Sequence, residues 1–295
     1  MFRTPAAAAV AAFSLAPLAS AAIDDFTTWT EIADPPNANL SASATPNDAT
    51  LTASGPVPNA VDIGYASINA NTVADATAGY FFESDSDFEI AIDFALTWTD
   101  ANGGIVIGFG IGEDAAGVNS AGAVFAAGTA TVSNVLGSAE VGFAAAGAGA
   151  RDNDDSIVET LFEVSTSSST SGSADGRLFV IYNGSTGDIT VGFADDPGAD
   201  DPDASTLIPA TAFDAWTGAD LLASFFVSSR SVVDVVDVLG IPTTVSIDPW
   251  ADGTSTAVFS NFEVLEGSAI IIPEPASLAL LAGGLGLIVT RRREA

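Results

Sequence analysis

Asp195-Asp196-Pro197-Gly198-Ala199-Asp200-Asp201-Pro202-Asp203 packs five carboxylates into nine residues. Oxygen donors at that density suit calcium, which takes about six to eight hard oxygen ligands. The spacing does not follow an EF-hand loop, which ends on a bidentate Glu. Two readings stand: a calcium site on Asp195, Asp196, Asp200, Asp201 and Asp203, or a solvated acidic loop. Arg151-Asp152-Asn153-Asp154-Asp155 is a weaker second run of the same kind. Asp87 and Glu89 offer different chemistry. On a strand, residues i and i+2 share a face about 6.6 Å apart, within the roughly 6.5–9.5 Å that inverting glycoside hydrolysis uses. Glu89 and Asp93 lie about 13 Å apart by the same rise, too far to act as a pair. The plainer reading of Asp87 and Glu89 is a solvated strand face.

The chain has no Cys and no His, and no Lys occurs in it. Without His, Ser-His-Asp and Cys-His nucleophiles are excluded. Without Cys there are no disulfides and no zinc sites of the Cys/His kind. Sugar recognition by aromatic faces remains open, through Trp29, Tyr65, Tyr80, Tyr182, Trp216 and Trp250. Trp216 and Trp250 are the leading candidates. Both sit beside Asp and Gly in loop-like contexts, Asp214-Ala215-Trp216-Thr217-Gly218 and Asp248-Pro249-Trp250-Ala251-Asp252-Gly253. The same contexts suit an aromatic cap on the end of a sandwich.

The elements that must carry these residues are strands. Gly, Ser, Thr, Asn and Asp interrupt the chain every eight to twelve residues or so, and apolar residues recur with period two. Asp87–Thr99 is the clearest case. Phe88, Ile90, Ile92, Phe94, Leu96 and Trp98 share one face and require a core beneath it. Further strands are predicted at Asp24–Ile32, Ala49–Ala53, Gly79–Glu83, Gly104–Ile111, Ala121–Ala126, Thr129–Leu136, Glu140–Ala144, Ile157–Ser165, Arg177–Tyr182, Asp188–Phe193, Leu221–Ser228, Val232–Val238 and Ala257–Leu265. Asn183-Gly184-Ser185-Thr186-Gly187 predicts a hairpin between two of them. The pattern is that of an all-β sandwich or barrel, and the expected fold class is all-β, as one β-sandwich.

The formal net charge is −31, and only Arg151, Arg177 and Arg230 are basic between the two ends. Such a surface repels nucleic acid and anionic lipid, so nucleic-acid partners are excluded. Salt screens the self-repulsion, which fits a saline medium or surface cations, and also fits a simple solubility device.

The ends read as addresses. Arg3, an apolar Ala6–Leu18 and Ala19-Ser20-Ala21 form a signal peptide over 1–21, cut by signal peptidase after the Ala19/Ala21 small-x-small site. At the other end come Pro273-Glu274-Pro275, an apolar run Ala276–Thr290, and Arg291-Arg292-Arg293. A helix over 276–290 reaches about 22 Å, a short transmembrane span, and the arginines act as a positive-inside stop. This tail, 268–295, resembles the PEP-CTERM sorting signal of Gram-negative bacteria. The resemblance implies cutting near Pro273, Glu274 and Pro275 by an exosortase, and release to the cell surface or extracellular matrix. It also implies an association with exopolysaccharide.

The region between, 22–267, carries a second resemblance. Asp24-Asp25-Phe26-Thr27-Thr28-Trp29 at its start and Ala257–Val264, with Asn261-Phe262, at its end are similar to concanavalin-A-like jelly rolls and related carbohydrate-binding modules. The resemblance implies that the first and last strands pair, and that Asp24, Asp25 and Asn261 contribute to a structural calcium site. Laminarinase-like hydrolases of that class carry Glu-x-Asp-x-x-Glu on such a strand. After Glu89 the matching positions are Ala91 and Phe94, so the catalytic roles do not transfer. The expected protein is a non-enzymatic, exported surface or matrix component, structural or adhesive within polysaccharide. The alternatives are a calcium-assisted carbohydrate-binding module and a degenerate glycoside hydrolase.

Overall fold

The structure is a computed structural model that describes residues 23–272, apart from 136, 153–154, 168, 213–219 and 239–240. The predicted signal peptide over 1–21, Trp216 and the tail from Pro273 through Arg291, Arg292 and Arg293 lie outside the described residues. Among the described residues there is no α-helix, and no helix long and apolar enough to cross a membrane.

Two antiparallel sheets face each other. In the larger, β1 (Thr30–Asp34), β4 (Asp62–Ala66), β14 (Leu222–Arg230), β7 (Gly104–Gly112) and β8 (Ser120–Asn134) lie side by side in that order. From β8 the sheet continues to β9 (Gly137–Asp152) and β10 (Asp155–Ser167), and also to β16 (Ile241–Ile247) and β15 (Val232–Val238). The smaller sheet runs β13 (Ala204–Ile208), β12 (Asp188–Ala194), β11 (Gly172–Asn183), β6 (Phe88–Asn102), β17 (Asp252–Glu266), β3 (Asp48–Ser54) and β2 (Leu40–Ala44). A short ladder joins β5 (Gly79–Phe81) to β18 (Ile270–Ile272).

The core follows from the alternation. Phe88, Ile90, Ile92, Phe94, Leu96 and Trp98 of β6 are all buried, in one cluster with Ile105, Ile107, Phe109 and Ile111 of β7. Ring contacts cross between the sheets, with Phe94 5.1 Å from Phe125 and Phe225 4.6 Å from Phe259. Fully burying one such side chain is worth about 1.5–3 kcal/mol. That term holds together a fold without disulfides.

Several local expectations are corrected. The Asp24–Ile32 segment is not one strand: Asp25 accepts the Thr27 amide and caps a 3₁₀ turn, Phe26–Thr28, before β1. The first and last strands of the domain do not pair. β1 pairs β4, and β17 lies between β6 and β3 in the other sheet. Trp29 meets Phe262 across the core instead, at 5.2 Å. Ala121–Ala126 and the described start of Thr129–Leu136 lie in one strand, Ser120–Asn134, because Gly128 at φ +141° carries the chain on without ending it; Leu136 lies outside the described residues. Strands β2, β4, β13, β16 and β18 fall outside the predicted segments. The Asn183–Gly187 hairpin forms as expected, with Asn183 opposite Asp188. The ladder also runs past Gly267, since Ile270–Ile272 pairs with β5 directly before Pro273.

One buried charge network pins the outer side of the smaller sheet. Arg177 on β11 is 1% exposed and sits opposite Asp93 on β6. Its guanidinium meets Asp93 at 3.4 Å, bonds Glu263, and lies 5.8 Å over the Phe179 ring. Asp93 also accepts from Gly198 N–H at 3.0 Å and Asn261 Nδ2 at 3.0 Å. Removing one partner strands a buried charge, so Arg177→Ala is expected to cost about 3–5 kcal/mol, read by urea unfolding. A loss under about 1 kcal/mol would show that the network is solvated.

Candidate functional site

Side chains alternate across each strand, so the residues between the core positions of β7, β8, β9 and β14 face outward. Many of them are glycine. Gly110 of β7 stands opposite Gly122 of β8, which stands opposite Gly149 of β9. A Cβ on Gly110 would come within 2.4 Å of the Ala121 carbonyl oxygen, and one on Gly122 within 2.3 Å of that of Phe109. Neighbouring backbone therefore crowds this face, and only glycine fits there.

The result is a groove of about 530 Å³ on the outer face of the larger sheet, a volume typical of small-ligand sites. Its lining runs from Val245 and Ile247 at one end to Ala115, Ala116 and Gly117 at the other, and is mainly apolar. Phe226 lies in it, half-buried, with its ring tip 2.4 Å from where a Gly108 Cβ would stand. The ring thus rests on bare backbone. Arg151, Arg230 and Asp62 are the charged residues among the described lining, two cations against one carboxylate in a chain of net charge −31.

This site was not read from the sequence. The available signal was the Phe225-Phe226 doublet: consecutive strand residues face opposite ways, so one ring must leave the core. Phe225 is 0% exposed in the core, and Phe226 is the outward ring. The expected platforms are elsewhere. Trp250 is 1% exposed, packed in the core, and offers no face to a sugar. It caps the sandwich, because Pro249 and Ala251 tie its segment to Gly104 and Asn102. Trp29, Tyr65, Tyr80 and Tyr182 are also buried.

The acidic candidates lie on the opposite side of the molecule. Asp195, Asp196, Asp200, Asp201 and Asp203 are all exposed, on the loop that Gly198 fastens to Asp93. Asp203 accepts the Asp195 amide at 3.1 Å, closing the loop on itself. Among the described residues no three acidic side chains gather closely enough to hold a metal ion. Asp87 is exposed and accepts the Gly184 amide at 2.8 Å. Glu89 is half-buried, and burial, with Asp201 and Glu266 adding and Arg177 opposing, pushes its carboxyl above the usual range.

Class follows from geometry here: a two-sheet antiparallel sandwich with a groove on one outer face. No protein-family model matches the chain, and no curated sequence matches it. Similar solved structures include an alginate lyase from Alteromonas sp. 272, at 13% identity and TM-score 0.35 over 83% of this chain and 95% of that one. They also include arcelin-5, a lectin-like defense protein from Phaseolus vulgaris, at 10% identity and TM-score 0.36 over 80% and 93%. A family 7 alginate lyase, A1-II′, stands at 11% identity and TM-score 0.36 over 84% and 92%. At that level of likeness no activity or ligand passes to this chain.

The raised Glu89 pKa sets a pH signature. The folded state holds the proton more tightly than the unfolded chain, so stability falls as pH rises from the unfolded toward the folded pKa. Glu89→Gln removes that loss. The variant is expected to melt above wild type at pH 7 and to coincide with it near pH 3, read by thermal melts across pH. Equal melting temperatures throughout would place the Glu89 carboxylate in solvent.

Proposed function

We propose that this chain is an exported, non-catalytic surface or matrix protein that holds polysaccharide in the groove. The observation that carries the reading is Phe226 resting on Gly108 in a mainly apolar groove. A sugar ring presents a flat C–H face, and an aromatic ring with one side open is its natural partner. Arg151 and Arg230 place two of the chain's few cations in the same lining. In this reading the sandwich belongs to the concanavalin-A-like jelly-roll class. Signal peptidase and an exosortase process the two ends, and the 276–290 helix anchors the chain in the inner membrane until the Pro273-Glu274-Pro275 site is cut.

The binding test uses a polysaccharide array with and without calcium. Phe226→Ala is expected to weaken retention about 2–10-fold, the range of one aromatic contact. Gly149→Leu is the sharper variant. A Cβ there meets only Val124 Cγ1 at 3.7 Å, an ordinary contact, and Gly149 lines the groove, so the larger side chain is expected to fill it; a circular-dichroism melt checks the fold. Retention by Gly149→Leu at wild-type level would remove the groove as the seat. Loss of binding on chelation would return attention to the Asp195–Asp203 loop.

Processing is tested separately. Pro273→Ala with Pro275→Ala is expected to leave uncut chain in the membrane fraction of an exosortase-bearing host, seen by immunoblot. Normal release would show that the Pro-Glu-Pro is not read.

A further inference from the structure

The outer face of the smaller sheet carries a second pattern, remote from the groove. Three strands that are neighbours in that sheet each hold a threonine two residues from another hydroxyl: Thr52 and Ser54 on β3, Thr254 and Thr256 on β17, Thr97 and Thr99 on β6. The intervening residues Ala53, Ser255 and Trp98 are buried, so the hydroxyl residues face outward. The registers align them. Thr256 stands opposite Thr52 on one side and Thr97 on the other, and Thr254 stands opposite Ser54 and Thr99. Ser41 and Ser173 extend the first row onto β2 and β11. Neither row contains a charged or aromatic side chain, in a chain with 38 Asp and Glu.

We propose that this threonine grid binds the surface of ice. Opposed residues along a row lie alternately about 4.5 and 5.5 Å apart, a mean of about 5 Å, and the two rows lie about 6.7 Å apart. Tetrahedral water hydrogen-bonded at about 2.75 Å repeats at about 4.5 Å between second neighbours, and at about 7.3 Å along the hexagonal axis. The mean row repeat departs from that lattice by about 0.5 Å and the spacing between rows by about 0.6 Å, offsets that stay small over three strands, beyond which sheet twist turns the rows away. Threonine is stiff at χ1, so its hydroxyl and methyl are held in place before contact. An ion would impose its own hydration shell on the lattice, and the grid has none. A soluble glycan is a poor occupant. It trades water hydrogen bonds for sugar ones at little gain, and the grid has no ring to stack on.

The test measures ice-crystal habit and the gap between melting and growth temperatures for the full-length chain. Wild type is expected to shape crystals and to open a measurable gap. Thr97→Arg and Thr254→Arg, both at exposed positions, are expected to shrink that gap at least fivefold. Leu207→Arg, exposed on edge strand β13, is expected to leave it unchanged. Circular-dichroism melts check each fold, and Thr97→Tyr replaces any arginine variant that fails to melt cooperatively. Unshaped crystals with folded wild type would overturn the proposal. So would a gap unaffected by Thr97→Arg, or retention on insoluble polysaccharide that Thr97→Arg abolishes while ice grows unshaped. Gly149→Leu, which blocks the groove, is expected to leave ice shaping intact, so this proposal and the polysaccharide reading fail separately.

Discussion

The apolar inner face of β6 is the contact on which the rest depends. Six large side chains from Phe88 to Trp98 occupy the centre of the smaller sheet, in one core cluster with β7 and β14, and Phe94 packs on Phe125 of β8. Without cysteine, no covalent staple shares the task. Burial of this stripe sets which face of every neighbouring strand turns inward, and so which residues are left for the two outer faces. A register slip of one residue in β6 would bury Glu89 and Asp93 in the core and expose the phenylalanines.

Residue size makes the two outer faces different. On the larger sheet, glycines at Gly110 and Gly122 let neighbouring backbone crowd in, and a groove forms beside Phe226. On the smaller sheet, β-branched threonines stand off the surface and make a grid. Between that grid and the acidic loop sits Arg177. It is the cation that the buried Asp93 needs, and Asp93 in turn holds Gly198 and Asn261 in place. Arg177 therefore serves the architecture, whereas Arg151 and Arg230 line the groove.

Much of the sandwich was legible in advance. The alternation in β6 and the Asn183–Gly187 hairpin are local patterns, and local sterics decide them. Strand ends were less legible, as with β8 and β9, whose glycine and alanine stretches carry too little hydrophobic contrast to mark a boundary. Edge strand β2, Leu40–Ala44, escaped notice for the same reason: Leu40-Ser41-Ala42-Ser43-Ala44 offers one large apolar residue. Trp250 was misplaced because Asp, Pro and Gly around it describe a turn, and a turn against the end of a sandwich buries what a free turn would expose.

The sequence alone determined an all-β chain, its acidity, the absence of His, Cys and Lys chemistry, and the motifs at its two ends. These depend on composition or on neighbours within a few residues. Only the tertiary structure decided that Thr52, Thr97 and Thr256 share a row, that Phe226 meets Gly108, and that Arg177 meets Asp93. Those pairs lie far apart along the chain, and strand order, set by which buried faces pack together, is what brings them into contact.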